Sequence, residues 1–394
     1  MYSLNKYNLN DLRMLKLRGR DEFSERSNPL GYFAFSTSST KNRNSSTFLE
    51  NDNGYFLSDC YNHNSIKNFN NDLSNNIEII KTFKGEYSFV YVNETHIIFG
   101  TDYFGQRPLW FYFDEMEKEF SVCSIPKIIE DKHGKVWSTK ENIIYVINKK
   151  TYKIKMLTNK SWDLTQKHNH YDYVFENFEN SVRKRHEDGI TIYPLSGGID
   201  SGAINCAAIS IFDNVQTVTY LKKYEPDEKE ILKNRIQSSN NLVVNLDDPS
   251  NLIFDKNDIS DNIIRNEFFN NDDANEWVNL CKKVSNKKII IPGLGGDALY
   301  GSWYGKTNGN VRGPVNKSFP RDLSLVWPWH NYKARLSIAL NKIQFIGGYF
   351  GIEVRNPLLD DDLVQSWINT TQDLKNQNHK AWLKKYMNSK KYLY

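Results

Sequence analysis

Two textures of apolar and polar positions divide this chain. In the first half, short dense runs of aromatic and β-branched residues recur: Phe33-Ala34-Phe35, Gly54-Tyr55-Phe56-Leu57, 87–92, 96–100 and 109–113. Such runs predict strands. The Asn-, Ser-, Asp- and Gly-rich stretches between them, notably 40–46 and 62–76, predict turns. Runs 142–147 and 152–156 flank Asn148-Lys149-Lys150-Thr151 and predict a hairpin. Several strands at short spacing suggest a layered sheet or sandwich. From about residue 170 the period changes. Residues 171–186 place Tyr173, Val174, Phe178 and Val182 on one side and charges on the other, as an amphipathic helix does. Strand-like 190–195, 215–221, 241–246 and 288–292 then alternate with helix-like 203–210, 227–239 and 274–285. That β-α-β-α alternation predicts a parallel sheet with helices on its faces. The fold class is therefore α/β: a layered antiparallel β domain over 1–165, then a parallel-sheet domain over 166–394. No internal repeat is visible.

At 394 residues the chain suits two or three domains by length alone, with ample core for each. Lys and Arg number 51 against 47 Asp and Glu, a net charge of +4, which gives no electrostatic case for a nucleic-acid or membrane-surface partner. The four cysteines, Cys60, Cys123, Cys206 and Cys281, lie far apart with no CxxC pair. This excludes a disulfide framework and a cysteine zinc site, and suits a reducing compartment such as the cytoplasm. No apolar run approaches the ~20 residues of a membrane span, and the first residues lack the apolar core of a signal peptide.

The strongest chemical signal is Ser196-Gly197-Gly198-Ile199-Asp200-Ser201, set between an apolar strand and a helix. Glycines there let the backbone approach an anion, and the amides of a helix N-terminus donate to it. The Ser196 and Ser201 hydroxyls add donors. Asp200 puts a carboxylate beside the phosphates, which makes sense with Mg²⁺ between them. The spacing is neither a Walker A loop nor a GxGxxG fingerprint. The plain alternative is a Ser-capped strand-to-helix turn.

The hexapeptide resembles the pyrophosphate loop of the N-type ATP pyrophosphatases. Further segments narrow the resemblance to the asparagine synthetase-like branch. Pro292-Gly293-Leu294-Gly295-Gly296-Asp297-Ala298-Leu299-Tyr300-Gly301 resembles the family's SGEGADELFGG segment, and Gly351-Ile352-Glu353-Val354-Arg355-Asn356-Pro357-Leu358-Leu359-Asp360 its GxExRxPFLD segment. Asp227-Glu228, opening a helix, also fits. In the first half, Gly85-Glu86-Tyr87-Ser88-Phe89 and residues 100–109 resemble the family's glutaminase domain, of the Ntn type. The resemblance implies that the second domain adenylates a small-molecule or peptide carboxylate with ATP and Mg²⁺, releasing AMP and pyrophosphate, and passes it to an amine or ammonia. It implies that Ser196, Gly197, Gly198 and Ser201 hold pyrophosphate, that Asp200 and Asp297 hold Mg²⁺, and that Leu195, Tyr220 and Gly293 contact the nucleotide. Lys380 best matches the family's charge-neutralising lysine, with Lys384 and Lys385 as neighbours to be told from it; an exposed helix lysine is the plain alternative. Glu353, with Arg355, either faces the acceptor site as a catalytic group or forms an internal ion pair. Asp297 could also simply cap the helix that follows it. A homodimer is compatible with the family.

Two departures matter. The family's glutaminase nucleophile is a cysteine directly after the initiator methionine; here Tyr2 stands there, so no glutaminase activity is expected. The same loss occurs in β-lactam synthetase, carbapenam synthetase and lasso-peptide cyclases. Second, Leu294 stands where asparagine synthetases carry glutamate and β-lactam formers tyrosine, and Ala298 replaces an acidic residue. This leaves room for a less polar acceptor, with Tyr300, Tyr304 and His330 as nearby candidates for a base, although packing or surface roles would explain each. Ammonia-dependent asparagine synthesis, an intramolecular cyclase and a non-catalytic nucleotide-binding scaffold are the alternative readings.

Overall fold

The computed structural model describes residues 1–4, 15, 22–37, 48–51, 53–59, 68–221, 229–237, 239–245, 272–284, 286–301, 304–307, 310–312, 318–327 and 330–392. Two compact units emerge. The first holds Met1–Ser161 and Leu340–Ile352, the second Trp162–Asp255, Asn271–Ala339 and Glu353–Tyr394. The seam expected at residue 165 therefore lies at 161, and 340–352, expected in the second domain, joins the first. The reason is packing: Phe345 seats against Trp110 at 5.7 Å between ring centroids and joins that unit's core.

Among the described residues, twelve strands build the first unit: β1 (Tyr2–Ser3), β2 (Glu22–Asn28), β3 (Gly31–Thr37), β4 (Phe48–Asn51), β5 (Gly54–Asp59), β6 (Ser88–Val92), β7 (His96–Thr101), β8 (Trp110–Asp114), β9 (Glu119–Cys123), β10 (Trp137–Ser138), β11 (Ile143–Asn148) and β12 (Lys153–Thr158). They form two six-stranded sheets, ordered β10-β8-β9-β1-β3-β2 and β12-β11-β7-β6-β5-β4. Every pairing in both is antiparallel. Because successive strand residues face opposite sides, the inner strands contribute to two cores. Phe33, Val90, Val92, Ile97, Phe99, Phe120, Val122 and Tyr145 meet in one cluster shared by both sheets. Their neighbours Phe89, Tyr91, Ile98 and Ile144 turn the other way, to Ile77 and Ile80 of helix Leu73–Lys81. Tyr32, Ala34 and Cys123 likewise turn to Ile128 and Ile129 of helix Pro126–His133. The unit is thus layered helix, sheet, sheet, helix, and burial on both sheet faces explains why its inner strands, such as β6, read as unbroken apolar runs. Tyr2 lies in the shared core, its hydroxyl donating to the Leu30 carbonyl at 2.8 Å. The 100–109 segment is a turn organised by buried Asp102, whose carboxylate accepts the amides of Phe104 and Gln106 at 2.9 Å each.

Among the described residues the second unit contains one five-stranded sheet: β13 (Thr191–Leu195), β14 (Gln216–Leu221), β15 (Asn240–Asn245), β16 (Ile289–Ile290) and β19 (Glu353–Val354), ordered β15-β14-β13-β16-β19, with β17 (Tyr304–Thr307) and β18 (Asn310–Arg312) as a separate hairpin. All pairings in the five-stranded sheet are parallel. Helix Ile199–Ile211 is buried continuously from Gly202 to Ala208 and packs on helices Asp172–Arg185 and Ala381–Ser389, which fits its lack of a polar stripe. Among the described residues, no helix is long and apolar enough to cross a membrane.

Candidate functional site

The order of the parallel sheet locates the site. From β13 the chain moves outward to β14 and β15, then returns to the other side of β13 with β16 and β19. The order reverses between β13 and β16, and the crevice outside the carboxyl ends of two such strands is where open α/β sheets bind ligands. Residues 196–198 follow β13 and 291–295 follow β16, so both glycine-rich segments open onto this crevice.

Helix Ile199–Ile211 begins at Ile199 instead of Ala203, which brings Asp200 and Ser201 into its first turn. Ser196 Oγ and Ser201 Oγ lie 2.7 Å apart, and the Gly198 amide donates to Ser196 Oγ at 3.1 Å. The loop after β16 passes so close that only glycine fits. A Cβ on Gly293 would lie 2.7 Å from the Ser201 nitrogen, and one on Gly296 would lie 2.2 Å from Asp200 Cγ.

Lys380 enters from a distant part of the chain. Its Nζ donates to Asp200 Oδ2 at 2.6 Å and lies 2.5 Å from Asp297 Oδ1. Its backbone is left-handed (φ 52°, ψ 43°) at the start of helix Ala381–Ser389. A side chain with a Cβ adopts that region at a cost of order 1 kcal/mol, and here it delivers a buried ammonium to two carboxylates. Asp297 is exposed and Asp200 mostly covered, their side chains 57% and 15% accessible. Burial pushes the Asp200 carboxyl up to about 6, with Asp297 adding to the rise and Lys380 opposing it. For Lys380 burial opposes the charge, but the two carboxylates outweigh it and hold the ammonium above its ordinary range.

Folded Asp200 holds its proton to about pH 6 whereas an unfolded aspartate releases it near 4. The folded state binds more protons across that interval, so this group's contribution is largest below pH 4 and is lost as pH rises through 6. Asp200→Asn is expected to flatten the pH dependence of denaturant stability between pH 4 and 6, measured without divalent ions; an unchanged slope would refute the assignment.

Asp200 Oδ1 is buried without a hydrogen-bond partner. Among the described residues no group of three His, Cys, Asp or Glu side chains gathers as a metal cage. Two carboxylates nevertheless suit Mg²⁺, which is usually held by one or two of them together with substrate phosphates and water. Leu195 ends β13, buried. Tyr220 lies in β14 opposite Val244, its side chain outside the described residues.

Glu353, expected with the catalytic groups, does not join this site. Parallel register sets it beside Ile289, itself beside Thr191 at the start of β13. That is the amino edge of the sheet, roughly 13 Å along the strands from Leu195 at ~3.3 Å per residue. There Arg355 donates to Glu353 Oε1 at 2.9 Å, to Glu187 Oε1 at 2.9 Å and to the Arg185 carbonyl at 2.8 Å. Glu353→Gln is expected to lower stability by about 3 kcal/mol, since it weakens a buried ion pair from one side, while leaving nucleotide affinity within twofold. A large loss of affinity at unchanged stability would reverse this conclusion.

Tyr300 serves as packing: its ring lies 5.3 Å from Trp367 and 5.0 Å from Trp382, and its hydroxyl donates to the Leu358 carbonyl at 2.6 Å. The side chains of Tyr304 and His330, and residues Cys60, Asp227 and Glu228, lie outside the described residues. Lys385 is occupied over the Tyr171 ring at 5.3 Å. Sequence reasoning missed Arg235, whose Nη1 donates to the carbonyls of Ser196 at 2.6 Å and Gly198 at 2.9 Å. In sequence it is one more cation in the last turn of a charged helix, with no local signal of burial.

No protein-family model and no curated protein matches the chain. Solved structures with some likeness include a glutamine phosphoribosylpyrophosphate amidotransferase from B. subtilis complexed with ADP and GMP, at 14% identity over 42% of this chain and 46% of that one, TM-score 0.26. Another is described as the allosteric regulatory enzyme of purine biosynthesis, at 11% identity over 55% of this chain and 66% of that one, TM-score 0.26. This chain therefore spans about half to two thirds of their lengths. At such scores neither likeness bears on what it does.

Proposed function

We propose that this chain is an ATP-dependent amide-forming ligase of the asparagine synthetase-like kind. It would adenylate a carboxylate, releasing pyrophosphate, and then transfer the acyl group to an amine or ammonia with release of AMP. The observation that carries this reading is the meeting of Asp200, Asp297 and Lys380 at the sheet's switch point, beside a glycine- and serine-rich helix start. Loop amides and the Ser196 and Ser201 hydroxyls suit pyrophosphate oxygens. Lys380 is placed to neutralise charge that grows on the departing pyrophosphate, and phosphoryl-type chemistry depends mainly on such positioning and neutralisation. Asp200 and Asp297 would hold Mg²⁺, which supplies further charge neutralisation when bound.

Glutamine is not the proposed nitrogen source. The three described cysteines are buried, and burial pushes the Cys206 thiol up to about 12 and that of Cys281 higher still. A thiol held protonated is a poor nucleophile. Tyr2 is packed in a core.

The test is incubation with ATP, Mg²⁺ and a panel of carboxylates and amines, following AMP and pyrophosphate. Stoichiometric release of both, abolished by Ser196→Ala, supports the ligase. Formation of ADP would replace adenylation by phosphorylation, and nucleotide binding without turnover would favour the scaffold reading. Glutamate released from glutamine would overturn the assignment of nitrogen source.

A further inference from the structure

Arg235 sits near the end of helix Lys229–Ile236 and is 1% exposed. One guanidinium nitrogen takes the carbonyls of both Ser196 and Gly198. The guanidinium lies so close over the glycine helix start that a Cβ on Gly202 would fall 2.5 Å from Arg235 Cζ. Tyr392 stands over the same guanidinium at 5.6 Å from its ring centroid, and its hydroxyl donates to Asn205 Oδ1. Asn205 is fully buried on the helix that carries Asp200 and Ser201.

A trans peptide unit points its carbonyl and its amide in opposite directions. If the carbonyls of Ser196 and Gly198 face Arg235, the amides of Gly197 and Ile199 face away from it. We infer that Arg235, seated by Tyr392, is the positioning residue that turns these two loop amides outward to receive an anion. The inference rests on the anion-binding reading of the loop, and adds what fixes the loop's orientation. A guanidinium suits the task because it is planar and permanently charged; a lysine ammonium is a point charge and fits the flat space over Gly202 poorly. Tyr392 contributes a ring face for the cation and anchors itself to the helix through Asn205.

The experiment compares wild type, Arg235→Gly, Arg235→Lys and Tyr392→Leu in the full chain by amide hydrogen exchange over residues 195–202 and by calorimetric titration with Mg²⁺ and inorganic pyrophosphate. Expected in Arg235→Gly are at least tenfold faster exchange confined to that segment and at least tenfold weaker pyrophosphate binding. Millimolar guanidinium should restore both, and ethylammonium neither. Arg235→Lys should recover little. Should Arg235→Gly fail to fold, Tyr392→Leu carries the test, with about threefold changes in the same segment. Unchanged loop exchange, or acceleration spread evenly over the unit, overturns the inference. Local loosening that guanidinium reverses, in a protein whose wild type does not bind pyrophosphate, upholds Arg235 as the loop's clamp and overturns the anion reading instead.

Discussion

Lys380→Met should lower ATP-dependent pyrophosphate release by about a thousandfold, the scale of removing one preorganised charge donor from a covered site. Lys380 is the ammonium shared by Asp200 and Asp297. Without it the two carboxylates repel each other, and the Asp200 carboxyl, already pushed up to about 6 by burial, rises further and becomes protonated near neutral pH. The site then loses both its own cation and the negative charge that would hold another. Lys380→Arg should not recover full activity, because the longer planar fork cannot occupy the point between the two carboxylates in the same way. The check is steady-state pyrophosphate release at saturating ATP. Activity within tenfold of wild type would remove Lys380 from the chemistry.

Gly296→Ala is the second large effect. The added methyl would stand 2.2 Å from Asp200 Cγ and 2.4 Å from both carboxylate oxygens, so the two loops must separate. Overpacking of this kind costs roughly 1–3 kcal/mol. A displacement of about 1 Å in a positioned group can cost ~100-fold in rate. The variant should therefore stay folded, melt lower, and lose at least a hundredfold in turnover. Ala298→Gly, likewise buried on the same short helix, should affect stability far more than turnover. Normal activity in Gly296→Ala would mean that the close approach of the loops has no part in function.

What the sequence reveals depends on how burial repeats along the chain. Strands covered on both faces, such as β6 with all five residues buried, read as continuous apolar runs and are easy to recognise. Edge strand β2, Glu-Phe-Ser-Glu-Arg-Ser-Asn, has little apolar content to betray it. Strands β1, β16 and β19 have two residues each, too few to show any period. Helix His330–Tyr349 carries apolar residues without a clear stripe, and its length was not legible. The Ser196–Ser201 turn was visible because its residues are contiguous. The approach of Lys380 to Asp200 spans 180 positions and follows from no local pattern, only from resemblance. Glu353 stayed open between two roles for a related reason: its identity is plain in sequence, but which edge of the sheet it occupies depends on parallel register.

That register has a consequence for how substitutions combine. The Arg355 ion pairs and the Lys380 cluster occupy opposite ends of the same short strands. Sites separated by more than ~7–10 Å with no shared partners usually contribute independently. Changes in the loops can therefore accumulate without drawing on the buried charges below. A stabilising change at the amino edge can in turn offset a costly one at the crevice. The two ends of this sheet are in effect separate targets for selection.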